Sequence, residues 1–106
     1  MSTYLQISTT AATRDEAVRL AASAVKSGLA ASAQVQGPAT SVFWHQGEYG
    51  EAEEWQITLK TAEARYAELE AHLRLEHSWD NPEIAAVAIV AGSADYLAWI
   101  DRTVKD

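Results

Sequence analysis

The chain has 106 residues, 48% of them apolar, which suits one domain with one modest core spanning residues 1–106. It contains no cysteine, so disulfides, thiolate metal sites and cysteine nucleophiles are excluded. A formal net charge of −7, with only eight scattered Lys and Arg residues, argues against nucleic acid as a partner and favours cations.

The first residues, 1–9, lack a basic region followed by an apolar stretch, and no apolar run approaches the roughly 20 residues that span a bilayer. A cytoplasmic protein without membrane attachment is the expectation. In chain order, residues 4–8 alternate with Leu5 and Ile7 on one face, which predicts a short strand. Thr13 and Glu16 have the spacing of a capping box, and Ala17, Leu20, Ala21, Ala24 and Val25 follow at helical intervals. Gly28 is placed to close that helix in the left-handed conformation, with Leu29 folding back on it.

Residues 29–36 alternate again, and extended character resumes after Gly37-Pro38 in residues 40–46. Gly47 and Gly50 mark a turn, and residues 54–61 form a strand with Trp55, Ile57 and Leu59 on one face. A second helix is predicted over residues 62–76, burying Ala62, Tyr66, Leu69 and Leu73. Residues 83–91 form a nearly unbroken apolar run, which reads as a central strand covered on both faces. Ser93 can cap a last helix that turns Tyr96, Leu97 and Ile100 inward. The order β-α-β-β-α-β plus a terminal helix is the split β-α-β, or ferredoxin-like, α+β arrangement, with both main helices on one face of an antiparallel sheet.

The hairpin between residues 30 and 61 fits a single copy badly. Its arms of about 14 residues span about 45 Å, whereas a domain of this length has a radius of gyration of about 13 Å. A ribbon that projects with Val42, Phe43, Trp44 and Trp55 needs something to pack on, and another copy of the chain is the economical partner.

Motifs for nucleotide binding and for the common hydrolases are absent, and an enzyme is not expected. Of the three histidines, His45 reads as a loop residue near the ribbon tip, and His72 as half of a surface pair with Glu76. His77 ends the second helix, where an imidazolium is favoured by the helix dipole. It also opens a connection crowded with Glu76, Trp79, Asp80 and Glu83, a histidine–carboxylate set that suits Zn²⁺ or Cu²⁺ and equally suits proton transfer. Ser78 is no partner for His77 in nucleophilic chemistry, because adjacent side chains point apart. The ribbon acids Glu48, Glu51, Glu53 and Glu54 read chiefly as guards against strand mispairing. Trp44 and Trp79 fall in projecting or irregular segments, as oligomer contacts or pocket walls, and Trp99 reads as interface or core.

From Thr9-Thr10 to Trp99 the chain resembles the CutA family of divalent-cation tolerance proteins. The resemblance is carried by Ser41-Val42-Phe43 before the ribbon tip, Lys60-Thr61, the connection from His77 to Ile84, and residues 92–100. It implies a ferredoxin-like fold assembled as a homotrimer through the long hairpin, with Phe43, Trp44 and Trp99 at the interface. It implies a link to tolerance of copper and other divalent cations, with no defined reaction. His77 and Glu76 then become candidate ligands for weakly bound Cu²⁺ or Zn²⁺. Lys60, Trp79, Asp80 and Glu83 become candidates for lining an inter-subunit cleft. A trimer of this shape is similar to the PII signalling proteins, so a small-molecule sensor or a protein-displaying scaffold is the alternative. Where some members carry a cysteine after the first strand and a second histidine in the connection, this chain has Thr9 and Glu76.

Overall fold

A computed structural model describes residues 3–104. Strands β1 (Tyr4–Ala11), β2 (Ser32–His45), β3 (Glu48–Ala62) and β4 (Ile84–Ile89) alternate with helices α1 (Arg14–Lys26) and α2 (Tyr66–Glu76), and α3 (Ala94–Val104) follows. The four strands form one antiparallel sheet in the order β2-β3-β1-β4. The expected ferredoxin-like order is therefore the observed one.

Helix α1 begins and ends as its residues dictate. The Thr13 hydroxyl accepts the Glu16 backbone N–H at 3.1 Å. At the other end Gly28 adopts φ +75°, and the N–H groups of Gly28 and Leu29 return to the carbonyls of Val25 and Ala24. Leu20 on α1 and Leu69 and Leu73 on α2 are fully buried against Ile7, Ile57 and Leu59 of the sheet. Each such side chain contributes about 1.5–3 kcal/mol of burial. Strand β1 runs three residues past the predicted end, because Thr9, Thr10 and Ala11 continue to pair with Ile57, Gln56 and Trp55. Thr9 faces the core between Ile57 and Ile84, and its hydroxyl has no hydrogen-bond partner within the protein.

A second, smaller core joins Ile100 and Val104 of α3 to Ala31 and Ala62, with Tyr4, Leu97 and Trp99 at its margin. Ala62 therefore ends β3 instead of starting a helix, and a 3₁₀ turn, Glu63–Arg65, intervenes before α2. Tyr96 does not turn inward: it is 38% exposed and stacks on Trp99 with ring centres 5.9 Å apart.

The ribbon turn corrects a second expectation. The two turn residues are Gln46 (φ +52°) and Gly47 (φ +82°), the positive pair that matches the twist of a two-residue hairpin. Gly50 lies inside β3 opposite Phe43, and a Cβ there would stand 2.6 Å from the Phe43 ring. Gly37 and Pro38 form a bulge, with Gly37 under the Trp55 ring in the same way. The ribbon gives the chain a long axis of 44 Å against 25 and 21 Å in the other directions.

Strand β4 departs furthest from expectation. It is an edge strand, and residues 85–88 are exposed, Val87 by 60%. An apolar run reports that a strand will be covered, and within one chain β1 covers one edge and the helices only part of one face.

Thr9→Val removes the orphan hydroxyl at nearly constant shape. We expect it to raise the unfolding free energy by about 1 kcal/mol, the cost of an unpaired buried hydroxyl, read from denaturant midpoints.

Candidate functional site

The connection from His77 to Glu83 is built by three elements. Helix α2 ends at Glu76, with the His77 N–H still bonded to the Leu73 carbonyl at 3.0 Å. Helix α1 reaches across to hold this end: Arg19 Nη2 donates to the Glu76 carbonyl at 3.1 Å, and Glu16 Oε2 accepts the Ser78 N–H at 2.9 Å. Glu16 thus does not return to Thr13 as a reciprocal capping box would; its carboxylate anchors the connection. Spacing within α1 identifies Glu16 as a cap residue, and nothing local to the sequence connects it to residue 78.

His77 is buried, its side chain inaccessible to solvent. Its Nε2 lies 2.7 Å from the carbonyl of Thr10, and its Nδ1 lies 3.0 Å from the N–H of Trp79. A carbonyl only accepts and an amide N–H only donates. The ring is therefore neutral with its proton on Nε2, and both nitrogens are engaged by backbone. The Trp79 ring leans on it with centroids 5.0 Å apart at 38°. This arrangement does not fit a metal ligand, because either nitrogen would first have to abandon a buried backbone group. Glu76, the other predicted ligand, points its carboxylate at Arg19 and His72, each at 3.8 Å.

Burial pushes the Glu16 carboxyl upward, but the Ser78 hydroxyl and N–H, together with the positive charge of Arg19, outweigh it and hold the group below its ordinary 4.5. A carboxylate with a lowered folded value stabilises fully above that ordinary value and loses its contribution as pH falls through the folded one. Glu16→Gln should accordingly be less stable than the parent at pH 7, with the gap closing as the pH falls below the ordinary carboxyl value. Paired urea titrations at pH 7 and at acid pH check this, and a gap that widens on acidification would reverse the assignment.

The predicted cleft residues do not converge within one chain. Strand alternation places Ser8, Thr10, Gln56 and Thr58 on the sheet face away from α1 and α2, and these line a cavity of about 150 Å³ that Glu83 borders. Lys60 lies on the same face of β3, two residues beyond Thr58, roughly 7 Å at the usual rise, and does not line the cavity. Trp79 packs on His77, and Asp80 is exposed. The predicted interface residues divide similarly: Trp44 is 75% exposed at the ribbon, edge-on to Tyr49, and Phe43 covers Gly50, whereas Trp99 sits half-buried beside the second core. Among the described residues, no three His, Asp or Glu side chains gather as a cation cage.

A ferredoxin-like sheet with two free edges, a projecting ribbon and a polar open face defines a small α+β protein whose working surfaces lie outside its own core. Its sequence and its fold agree on the particular group. The family model for CutA1 divalent ion tolerance protein matches residues 5–103, and the chain belongs to that family. A divalent-cation tolerance protein CutA from Archaeoglobus fulgidus is 34% identical over 96 residues, covering 91% of this chain and 93% of the relative. A solved structure from the same organism, described as a periplasmic divalent cation tolerance protein CutA, superposes with a TM-score of 0.91 at 33% identity, covering 99% of this chain and 100% of that one. CutA1 from Oryza sativa superposes with a TM-score of 0.94 at 27% identity, over 98% of this chain and 95% of that one.

Proposed function

We propose that this divalent-cation tolerance protein works as a self-assembled, non-enzymatic binding protein, a homotrimer whose open sheet edges pair between copies. The observation that carries this reading is the exposure of residues 85–88 on β4, an apolar strand with a free edge, on a sheet whose opposite edge, β2, is also free. Pairing β4 of one copy with β2 of the next is a head-to-tail contact, and such contacts are soluble only when they close into a ring. A ring of three agrees with what the family resemblance implies. The exposed Val42, Trp44 and Tyr49 of the ribbon would be covered in the same assembly.

Sedimentation equilibrium at micromolar concentration tests the assembly: a mass of three chains supports it, and a concentration-independent monomer overturns it.

The hydroxyl-lined cavity favours a second reading, a small-molecule sensor of PII type. Its ligand would bind at Ser8, Thr10, Gln56, Thr58 and Glu83, where a neighbouring copy would complete the cleft. A metabolite that raises the melting temperature in proportion to the logarithm of its concentration would support this over the cation reading.

A further inference from the structure

We propose that the open sheet face binds a small neutral polyol, a sugar or sugar alcohol, in the cavity that Ser8, Thr10, Gln56, Thr58 and Glu83 line. The inference rests on the small-molecule reading above and names its class of ligand: uncharged, rich in hydroxyls, and distinct from nucleotides and other anions.

The strand register builds the site. Ser8 stands opposite Thr58 and Thr10 opposite Gln56, so four polar side chains share one face of β1 and β3. Such cross-strand neighbours lie about 5 Å apart, and residues two apart along one strand about 7 Å. Glu83 immediately precedes Ile84, the partner of Thr9 in β1, which sets it beside Thr10. Among the described residues, none of these five side chains has a hydrogen-bond partner, so their full capacity is open to a ligand. The cavity of about 150 Å³ has the volume of about five water molecules, which suits a short polyol or a pentose.

Charge and hydrogen-bonding inventory select the class. No Lys or Arg lines the cavity, and the Glu83 carboxylate is its one ionised group. A phosphate or carboxylate ligand would therefore meet like charge with no cation in the lining to offset it. An ammonium ligand would be drawn to Glu83, but it only donates, and it leaves the Gln56 amide N–H groups without an acceptor. A ligand hydroxyl both donates and accepts. It can give its proton to Glu83 or to the Gln56 carbonyl, and take one from the Gln56 amide or from a Ser or Thr hydroxyl. The two oxygens of Glu83 match a pair of adjacent ligand hydroxyls.

Occupancy of the cavity has a route to the end of α2. The Thr10 carbonyl accepts from His77 Nε2 at 2.7 Å, Trp79 rests on the His77 ring, and Glu83 lies at the far end of the same connection. A ligand that bridges Thr10 and Glu83 holds both ends of that connection, and Trp79 reports it.

The test is tryptophan fluorescence of the full-length protein titrated with xylitol, ribose and glucose. Millimolar concentrations keep the probes far below the level at which osmolytes stabilise by exclusion. A saturable emission change with at least one of the three is expected, together with a melting temperature that rises with the logarithm of its concentration. Glu83→Gln should weaken the responding probe at least tenfold and Thr58→Val severalfold. Glu53→Gln, a ribbon substitution outside the cavity, should leave the titration unchanged. Trp79→Phe should abolish the emission change and keep the thermal shift; an emission change that persists would overturn the relay. Ribose 5-phosphate and ethanolamine are the anionic and cationic comparisons and should give no response. A response to either of these alone, lost in Thr58→Val, would keep the small-molecule reading and overturn the polyol. A polyol response that survives both cavity substitutions would overturn the site. Silence from every probe would overturn the polyol and the small-molecule reading together.

Discussion

His77→Ala should lower the unfolding free energy by about 3–4 kcal/mol. The substitution strands the Thr10 carbonyl and the Trp79 N–H in a place water barely reaches, and each unpaired backbone group costs about 1–3 kcal/mol. It also removes the face on which Trp79 rests, leaving a cavity at the junction of β1 and α2. Urea titrations at fixed protein concentration read the loss, and the concentration is held because the proposed assembly would contribute to apparent stability. A loss under 1 kcal/mol would show that the two backbone groups find other partners.

Val87→Lys should convert the proposed trimer to monomer with little change in the fold of each chain. Val87 is 60% exposed on β4, so within one chain a lysine there keeps its ammonium in water. In a ring sealed through β4 the same ammonium is desolvated against a neighbouring strand at a cost of several kcal/mol, and closure multiplies that penalty by the number of contacts. Lysine on exposed edges is how strands are kept from pairing, and residues 84–89 carry none. Sedimentation equilibrium gives the mass, and far-UV circular dichroism shows that the chain is still folded. An intact trimer in this variant would exclude β4 from the interface and shift the burden to the ribbon.

The two expectations that failed most informatively, a covered β4 and a metal at His77, failed for related reasons. The apolar run at residues 84–89 reports how much cover a strand will have in its working state, and says nothing about which chain supplies it. The crowding of polar groups at residues 76–83 reports that polar partners are needed. It does not say that those partners are the backbone of Thr10 and Trp79. Conversely, His72 at helical spacing from Glu76 reads as an ordinary surface pair, and its hydrogen bond with Ser23 is hidden because the two residues are 49 positions apart in sequence.

Local chemistry was therefore enough for the elements of this protein and their order. Thr13 and Gly28 bound α1 and alternation marks β1 and β3, because capping and pleat depend on residues a few positions apart, whereas the ribbon turn falls at Gln46-Gly47 and leaves Gly50 inside β3. Composition alone excluded thiolate chemistry and disfavoured nucleic acid. Family membership was also legible, in segments distributed from Ser41 to Ile100. Only the tertiary structure decided that Glu16 serves Ser78, that His77 is sealed by β1, and that Ser23 meets His72. Each of these contacts joins residues 49 to 67 positions apart, and such pairs are chosen by how the helices lie on the sheet.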